Sequence, residues 1–165
     1  PILFEGTLGT NLGGDGHATA GEIQAMLERV GLGQLSPATP VSEGGLNFST
    51  GQRQLLCLAR AILQRNQIVV LDGATANIDS RTEEIIQSVI SADLRGCTTI
   101  TIAHRLETII DSDKVMVMDA GRLVEFDSPS ALLQRPNSIF RAIAASLGPD
   151  HLRALQARAK DHVNN

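Results

Sequence analysis

Aromatic side chains are nearly missing from this sequence of 165 residues, which contains no tryptophan and no tyrosine. Long apolar runs are missing too: the longest are only about five residues, whereas a helix that crosses a bilayer needs about 20. The net charge is −4 with no block of basic residues, which argues against a nucleic-acid-binding surface. The apolar content of 42 % is nevertheless enough for one domain with a real core.

Cysteine and lysine are also scarce. The two cysteines, Cys57 and Cys97, match no paired metal-binding spacing and are predicted to be buried, reduced thiols. Neither of the two lysines, Lys114 and Lys160, follows a glycine. A phosphate-binding loop (P-loop) needs a glycine-rich turn that ends in Gly-Lys-Ser/Thr. The cluster Gly13–Gly16 is therefore predicted to be an ordinary loop.

A helix start suited to an anion is present at residues 48–54. Ser49 and Gln52 have the spacing of a capping box, and Gly51 allows another backbone or a ligand to come close. Such a helix start offers unpaired N–H groups and about half a positive charge, which together suit a phosphate. The apolar run at 68–71 then predicts a buried parallel strand that ends in Asp72, where α/β folds usually bind ligands.

The rest of the chain alternates between helical and strand patterns, which predicts an α/β fold with parallel βαβ units. Apart from the strand at 68–72, strands are predicted at 98–102, 114–118 and 122–126. Helices are predicted at Thr7–Leu12, Gly21–Val30, Ser49–Arg65, 82–94, 105–110, 129–134 and 138–147, with a surface tail helix from Asp150.

Four motifs in this order resemble those of an ATP-binding cassette (ABC) ATPase domain. The helix at Phe48–Leu63 is similar to the signature helix, and the strand at Ile68–Asp72 to the Walker B strand. Ala76–Asp79 is similar to the D-loop, and Thr101–Arg105 to the switch-histidine loop. The wording of the central stretch is most similar to the second nucleotide-binding domain of multidrug-resistance-associated (C-subfamily) exporters.

The resemblance implies which fold the chain has and which part of a nucleotide-binding domain it represents. The fold is a partial P-loop NTPase-like (ABC ATPase) fold, with a parallel β-sheet core, flanking helices and a helical subdomain. In the family, the P-loop, the aromatic platform for adenine and the Q-loop glutamine all lie upstream of the point that matches Pro1. The chain is therefore expected to be a fragment, the C-terminal two-thirds of a nucleotide-binding domain. Residues 1–66 would form the helical subdomain with the signature helix at 49–65, residues 67–148 the ATPase core, and residues 149–165 the tail helix.

The resemblance also assigns roles to single residues. Asp72 would be the Walker B aspartate that binds Mg²⁺. His104 would be the switch histidine that contacts the γ-phosphate of ATP, and Asp79 would act at the seam between two cassettes. Gly73 departs from the family, which has a catalytic glutamate at this position. Glycine cannot orient or deprotonate water, so this site is expected to bind ATP better than it hydrolyses it.

The signature departs from the family as well. The usual wording is Leu-Ser-Gly-Gly-Gln, and here Phe48 and Thr50 replace the first leucine and the first glycine. Ser49, Thr50, Gly51 and Gln52 would contact ATP that the other cassette of a dimer holds. A threonine adds a methyl group near the phosphate, so a weakened or tuned contact is expected rather than its loss.

Three functions remain open at this point. The chain is expected to be part of an ATP-driven exporter, an ABC-type ATPase by family whose isolated fragment is inactive. Alternatively, it is an inactive signature donor that completes a partner's ATP site, or a truncated non-functional product. The implied ligands are ATP and Mg²⁺. The implied partners are the transmembrane domains and an opposed nucleotide-binding domain, at the cytosolic face of a membrane that the protein reaches only through those transmembrane domains.

Overall fold

The structure, a computed structural model, describes every residue except 15, 17, 74–77, 104, 164 and 165, and the side chains of 161–163. Its contacts divide the chain into two units, Pro1–Ile102 and Ala103–Asn165. The functional boundaries predicted after residues 66 and 148 stay predictions.

Within its described residues the first unit has four α-helices and two small sheets, and most of these elements agree with the predicted pattern. They are β1 (Gly6–Thr7), α1 (Leu8–Gly13), α2 (Ala20–Arg29), β2 (Pro40–Val41), α3 (Thr50–Leu63), β3 (Ile68–Asp72), α4 (Ser80–Asp93) and β4 (Thr98–Ile102). Strands β1 and β2 form a short antiparallel ladder that the sequence pattern did not predict. Strands β3 and β4 pair in parallel across α4, which confirms the predicted βαβ unit.

The main core of this unit lies between α1, α2, α3 and α4. Leu8, Leu27, Leu56 and Ile86 come from these four helices in turn, and each is at most 1 % exposed. Because α3 contributes apolar side chains at helical spacing, it packs against its neighbours along most of its length. The helix start that was predicted to meet an anion is thereby held on a packed helix.

Strand β3 is covered on one face, whereas every residue of β4 is exposed. Val69 and Leu71 pack against side chains of α3 and α4, whereas Ile68 and Val70 on the other face are 62 % and 61 % exposed. The prediction of a buried parallel strand is therefore wrong for one face of β3, because α3 and α4 cover only the other face and none of the described residues of the first unit covers this one. Ile100 and Ile102 of β4 are also exposed.

Among its described residues, the second unit has a hairpin and three α-helices. They are β5 (Val115–Asp119), β6 (Arg122–Asp127), α5 (Pro129–Gln134), α6 (Ile139–Ser146) and α7 (Pro149–Val163). The segment predicted as a helix at 105–110 is a single 3₁₀ turn, Leu106–Thr108. Strand β5 pairs with β6 in antiparallel register.

The tail helix has one apolar side that is buried. Leu155 and Ala159 of α7 are 3 % and 2 % exposed, and they share a core with Ile110 and Phe140. α7 is thus a surface helix whose apolar side packs into the second unit.

Glu125 of β6 joins the hairpin to the start of α6. Its carboxylate accepts hydrogen bonds from the Phe140 N–H (3.1 Å), the Ile139 N–H (2.9 Å) and the Ser138 hydroxyl (3.0 Å). Burial opposes ionisation of Glu125, but these hydrogen bonds outweigh it and lower the pKa of its carboxyl group.

The cysteines do not have the predicted burial. Cys57 and Cys97 are free and half-buried, because each lies at the margin of a core rather than inside it.

Among the described residues, no helix is both long and apolar enough to cross a membrane.

Candidate functional site: a capped helix start and a strand-end carboxylate

The first part of the candidate site is the start of α3, which carries the predicted capping box. The Ser49 hydroxyl oxygen accepts from the Gln52 N–H (3.2 Å), and the Gln52 side-chain oxygen accepts from the Ser49 N–H (2.9 Å). Ser49 and Thr50 are exposed. The remaining N–H groups of the first turn point away from the helix, where water or an anion can accept from them.

Arg53 adds a cation to this helix start, and the motif analysis missed it. Its guanidinium donates to the Thr50 hydroxyl oxygen at 3.4 Å, one turn along the helix. The spacing of three residues could have indicated this contact. A positive side chain beside a helix N-terminus favours an anionic ligand at the same place.

Gly51 allows a close approach, and the approaching group is a side chain of this chain. A Cβ atom at Gly51 would lie 3.3 Å from the Thr82 methyl carbon and 3.5 Å from the Thr82 hydroxyl oxygen. Thr82 belongs to the first turn of α4. The starts of α3 and α4 are therefore in direct contact.

Asp79 begins α4 and is also in contact with Thr82. Its carboxylate accepts from the Thr82 N–H (3.0 Å) and from the Thr82 hydroxyl (2.8 Å). The Thr82 N–H, and then the hydroxyl, lower the pKa of the exposed Asp79 carboxyl group. Thr82 therefore links two predicted site segments, and sequence reasoning missed it although the spacing Asp79-x-x-Thr82 is that of a helix cap.

The contact between Gly51 and Thr82 gives a stability prediction. Alanine in place of glycine near a helix start gains about 0.5–1 kcal/mol of backbone entropy, but at Gly51 the new methyl group crowds Thr82. We expect Gly51→Ala to leave the free energy of unfolding nearly unchanged, and to stabilise the chain by about 0.5–1 kcal/mol once Thr82→Ser has removed the crowded methyl. Urea unfolding of the single and double variants measures this.

Gly21 provides the control for that experiment. It occupies the same second position of α2, behind a similar capping box, and a Cβ there would find its nearest neighbour at 4.0 Å. Gly21→Ala should therefore stabilise the chain whether residue 82 is threonine or serine. An equal gain from Gly51→Ala and Gly21→Ala in the otherwise unchanged chain would contradict the crowding argument.

The second part of the candidate site is the C-terminal end of the parallel pair. Asp72 is exposed and lies opposite Ile102 in the register of β3 and β4. The next residue, Gly73, donates from its N–H to the Ile102 carbonyl oxygen at 3.3 Å. Its φ is 58°, in the left-handed region that favours glycine.

These two groupings account for most of the predicted site residues. Ser49–Gln52 and Asp79 are brought together through Thr82, and Asp72 and Gly73 lie together at the end of β3. His104 and the D-loop residues Ala76 and Asn77 lie outside the described residues. The roles of all these residues in ATP chemistry stay predictions.

The chemistry of both groupings fits the implied ligands. Mg²⁺ retains several waters and is commonly held by one or two carboxylates together with substrate phosphates, so a single exposed carboxylate such as Asp72 fits it. The described residues contain no group of three or more His, Cys, Asp or Glu that could hold a metal ion by themselves. The 14-residue helix α3, with Arg53 beside its start, fits an anionic phosphate.

The amino-acid sequence is similar to those of known proteins of one family. The profile of the ABC transporter family matches residues 3–76. The mouse protein ATP-binding cassette sub-family C member 4 is 49 % identical over 97 % of this chain, and the chain covers 12 % of that protein. The Drosophila melanogaster protein "Probable multidrug resistance-associated protein lethal(2)03659" is 52 % identical over 84 % of this chain, which covers 10 % of it.

A solved structure of the same family is similar to this chain in three dimensions. The structure of a bacterial Atm1-family ABC exporter with ATP bound matches 90 % of this chain with a TM-score of 0.78 and 36 % sequence identity. The chain covers 27 % of that protein. It therefore spans a small part of each relative, and its α/β fold is that of an ABC exporter's nucleotide-binding region. The chain belongs to the ABC transporter family, as part of an ATP-binding cassette that resembles those of C-subfamily members.

Proposed function

We propose that this chain is the C-terminal part of the nucleotide-binding domain of an ATP-driven membrane exporter. The observation that carries the proposal is the exposed carboxylate of Asp72 at the C-terminal end of β3, beside the end of β4. Asp72 would hold Mg²⁺, which when bound neutralises phosphate charge. His104, which follows β4 in the sequence, would sense the γ-phosphate.

The helix start of α3 would act on a second ATP molecule. Ser49–Gln52 would close over ATP that an opposed cassette holds, and Asp79 would lie at the seam between the two cassettes. The exposure of Ser49 and Thr50, and the cation of Arg53 beside them, support this role because an exposed positive helix start can meet an anion on another chain. The partners are an opposed nucleotide-binding domain and transmembrane domains, at the cytosolic face of a membrane.

The site that contains Asp72 would hydrolyse ATP poorly. Gly73 has no side chain to orient or deprotonate the attacking water, and the loss of a general base costs about 10²–10⁴ in rate. The φ of 58° supports a glycine here independently of catalysis, because a side chain at this position would be strained. We infer that this site binds ATP but hydrolyses it slowly.

A second candidate function has support of its own. The capping box of α3 is fully formed within the chain. A chain of this kind can donate a signature to a partner's ATP site without hydrolysing ATP itself. In both functions the isolated 165 residues would be inactive and would bind Mg-ATP weakly or not at all.

The test uses the complete cassette, this chain together with its upstream part. We expect Asp72→Asn to weaken Mg-ATP binding about ten-fold or more, because a neutral amide removes the charge that attracts Mg²⁺. ATP binding in excess chelator should change much less. Equilibrium titration with a fluorescent ATP analogue, with and without Mg²⁺, measures both.

Asp119→Asn is the matched control. Asp119 is also an exposed aspartate at the end of a strand, in β5 of the second unit. Its replacement should leave Mg-ATP affinity unchanged. If both substitutions weaken binding equally, or if neither does, Asp72 is not the Mg²⁺ ligand and the proposed function loses its main support.

A further inference from the structure

The segment that follows His104 in the sequence contacts the tail helix α7 through polar side chains at two points. Arg158 donates from Nε to both Asp111 carboxylate oxygens, at 2.9 and 3.1 Å, and from Nη2 to one of them. Nε2 of His151 lies 2.9 Å from the Glu107 carboxylate oxygen Oε1. Hydrogen bonding to Asp111 is the main reason why the pKa of Arg158 is raised.

The pairs His151–Glu107 and Arg158–Asp111, hereafter the brace, contact α7 at two points along its length. His151 and Arg158 are seven residues apart, about two helical turns or ~10 Å, so they lie on the same side of α7. Between their acidic partners in the sequence is Ile110, which is fully buried in the core that contains Leu155. Residues 105–111, hereafter the switch-flanking segment, therefore contact α7 through polar side chains at two points and through apolar packing between them.

A cleft opens beside the switch-flanking segment, on the side where His151 of the brace also lies. Arg105, Leu106 and Glu107 line a cleft of about 560 Å³ together with residues of β5, α6 and α7. Among its described residues the segment forms one 3₁₀ turn, in which the Thr108 hydroxyl donates to the Arg105 carbonyl oxygen at 2.6 Å, and Arg105 also pairs with Glu107 at 3.7 Å. Such a turn alone does not fix the direction of a chain.

We propose that α7 positions the switch-flanking segment through the pairs His151–Glu107 and Arg158–Asp111, and that this brace sets how well the site of His104 distinguishes ATP from ADP. This inference rests on the proposed function, in which His104 senses the γ-phosphate. Arg158 and His151 are positioning residues, since they act on the site through the segment. Arg158 and Asp111 are about half exposed, and exposed ion pairs contribute little to global stability. Their loss should loosen the segment without unfolding the chain.

The brace itself is tested on the 165-residue chain by hydrogen–deuterium exchange. We expect Arg158→Ala to speed exchange of the amides in residues 105–113 by about two- to five-fold, the range that an exposed ion pair supports. Exchange in α3 should not change. The double variant Arg158→Asp with Asp111→Arg should recover the original rates, because the pair is re-formed with its charges reversed.

Arg153→Ala is the matched control for the exchange experiment. Arg153 lies on the same helix, carries the same charge and pairs with Asp150 of its own first turn, three residues away. Its loss should leave residues 105–113 unaffected. Equal exchange in the unchanged chain and in Arg158→Ala, or equal acceleration by both arginine substitutions, would overturn the brace.

The functional consequence is tested in the complete cassette by titration with Mg-ATP and with Mg-ADP. We expect Arg158→Ala to lower the preference for ATP over ADP by about two- to five-fold with ADP affinity unchanged, since the effect cannot exceed the contribution of the brace. The charge-reversed double variant should recover the preference. Faster exchange with an unchanged preference would reduce α7 to a structural support and overturn the positioning role.

A failure of the proposed function would give a different result. If the unchanged cassette bound neither nucleotide, the role in nucleotide discrimination would fall together with the proposed function. The brace would still stand or fall on the exchange rates alone.

Discussion

Gly73→Glu in the complete transporter is expected to raise ATP turnover at the site of Asp72 by about 10²–10⁴-fold. A carboxylate next to Asp72 can orient the attacking water and accept its proton, and general-base catalysis contributes rates of this size. The gain should appear as acceleration of the slow phase of phosphate release in a single turnover. ATP affinity should change little, because the substitution acts on the chemical step.

The variant Gly73→Gln separates the effect of a general base from the effect of backbone strain at residue 73. Both side chains would occupy a backbone with a φ of 58°, so both incur about 1–2 kcal/mol of left-handed strain. They have nearly the same size, but glutamine cannot accept a proton. The glutamine variant should therefore hydrolyse ATP as slowly as the unchanged protein. The ratio of the hydrolysis rates of the glutamate and glutamine variants then measures the contribution of general-base catalysis. Equal rates in the two variants, with ATP binding intact, would show that residue 73 is not the position of the missing base.

The geometry at Gly73 changes how its departure from the family is understood. From the sequence alone, the glycine is a lost catalytic residue. In the structure its N–H also bonds to the end of β4, and its φ is one that glycine adopts without strain. A glutamate restored here must either bear this strain or shift the turn after β3. The rate gain from Gly73→Glu is therefore expected toward the lower end of the range if the turn keeps its present shape.

The regular elements of the first unit could be predicted because their signals are local. The predicted strands 68–72 and 98–102 coincide with β3 and β4, since each is a short β-branched run. The capping box places Ser49 at the N-cap of α3, as the structure confirms. The fold class follows from the alternation of these elements, because two parallel strands need a crossover helix between them.

The contacts around the candidate site could not be predicted in the same way. Thr82 meets Gly51 only because α3 and α4 pack together, and a spacing of 31 residues carries no periodic signal. Arg158 and Asp111 are separated by 47 residues, and each alone resembles an ordinary surface charge. The exposure of Ile68 and Val70 depends on what covers the outer face of β3, and a strand's own sequence does not contain that information.

The similarity between the starts of α2 and α3 allows the proposed role of the signature to be tested with a matched pair of variants. Both helices begin with a capping box, formed by Thr19 and Glu22 in α2 and by Ser49 and Gln52 in α3. Ser49→Arg and Thr19→Arg each remove a cap worth about 1 kcal/mol and place a bulky cation at an exposed helix start. Their effects on the free energy of unfolding should therefore be similar and modest.

Their effects on assembly should differ sharply. If Ser49–Gln52 closes over ATP that an opposed cassette holds, the arginine of Ser49→Arg fills the gap where the γ-phosphate meets the helix start. ATP-dependent association of the two cassettes should fall about ten-fold or more, as for removal of a central contact in an interface. Thr19→Arg should leave association unchanged. Light scattering with and without Mg-ATP measures both variants beside the unchanged protein. Equal association of all three would mean that the start of α3 is a capped helix and nothing more, because a bulky cation would then be tolerated where the signature must touch phosphate.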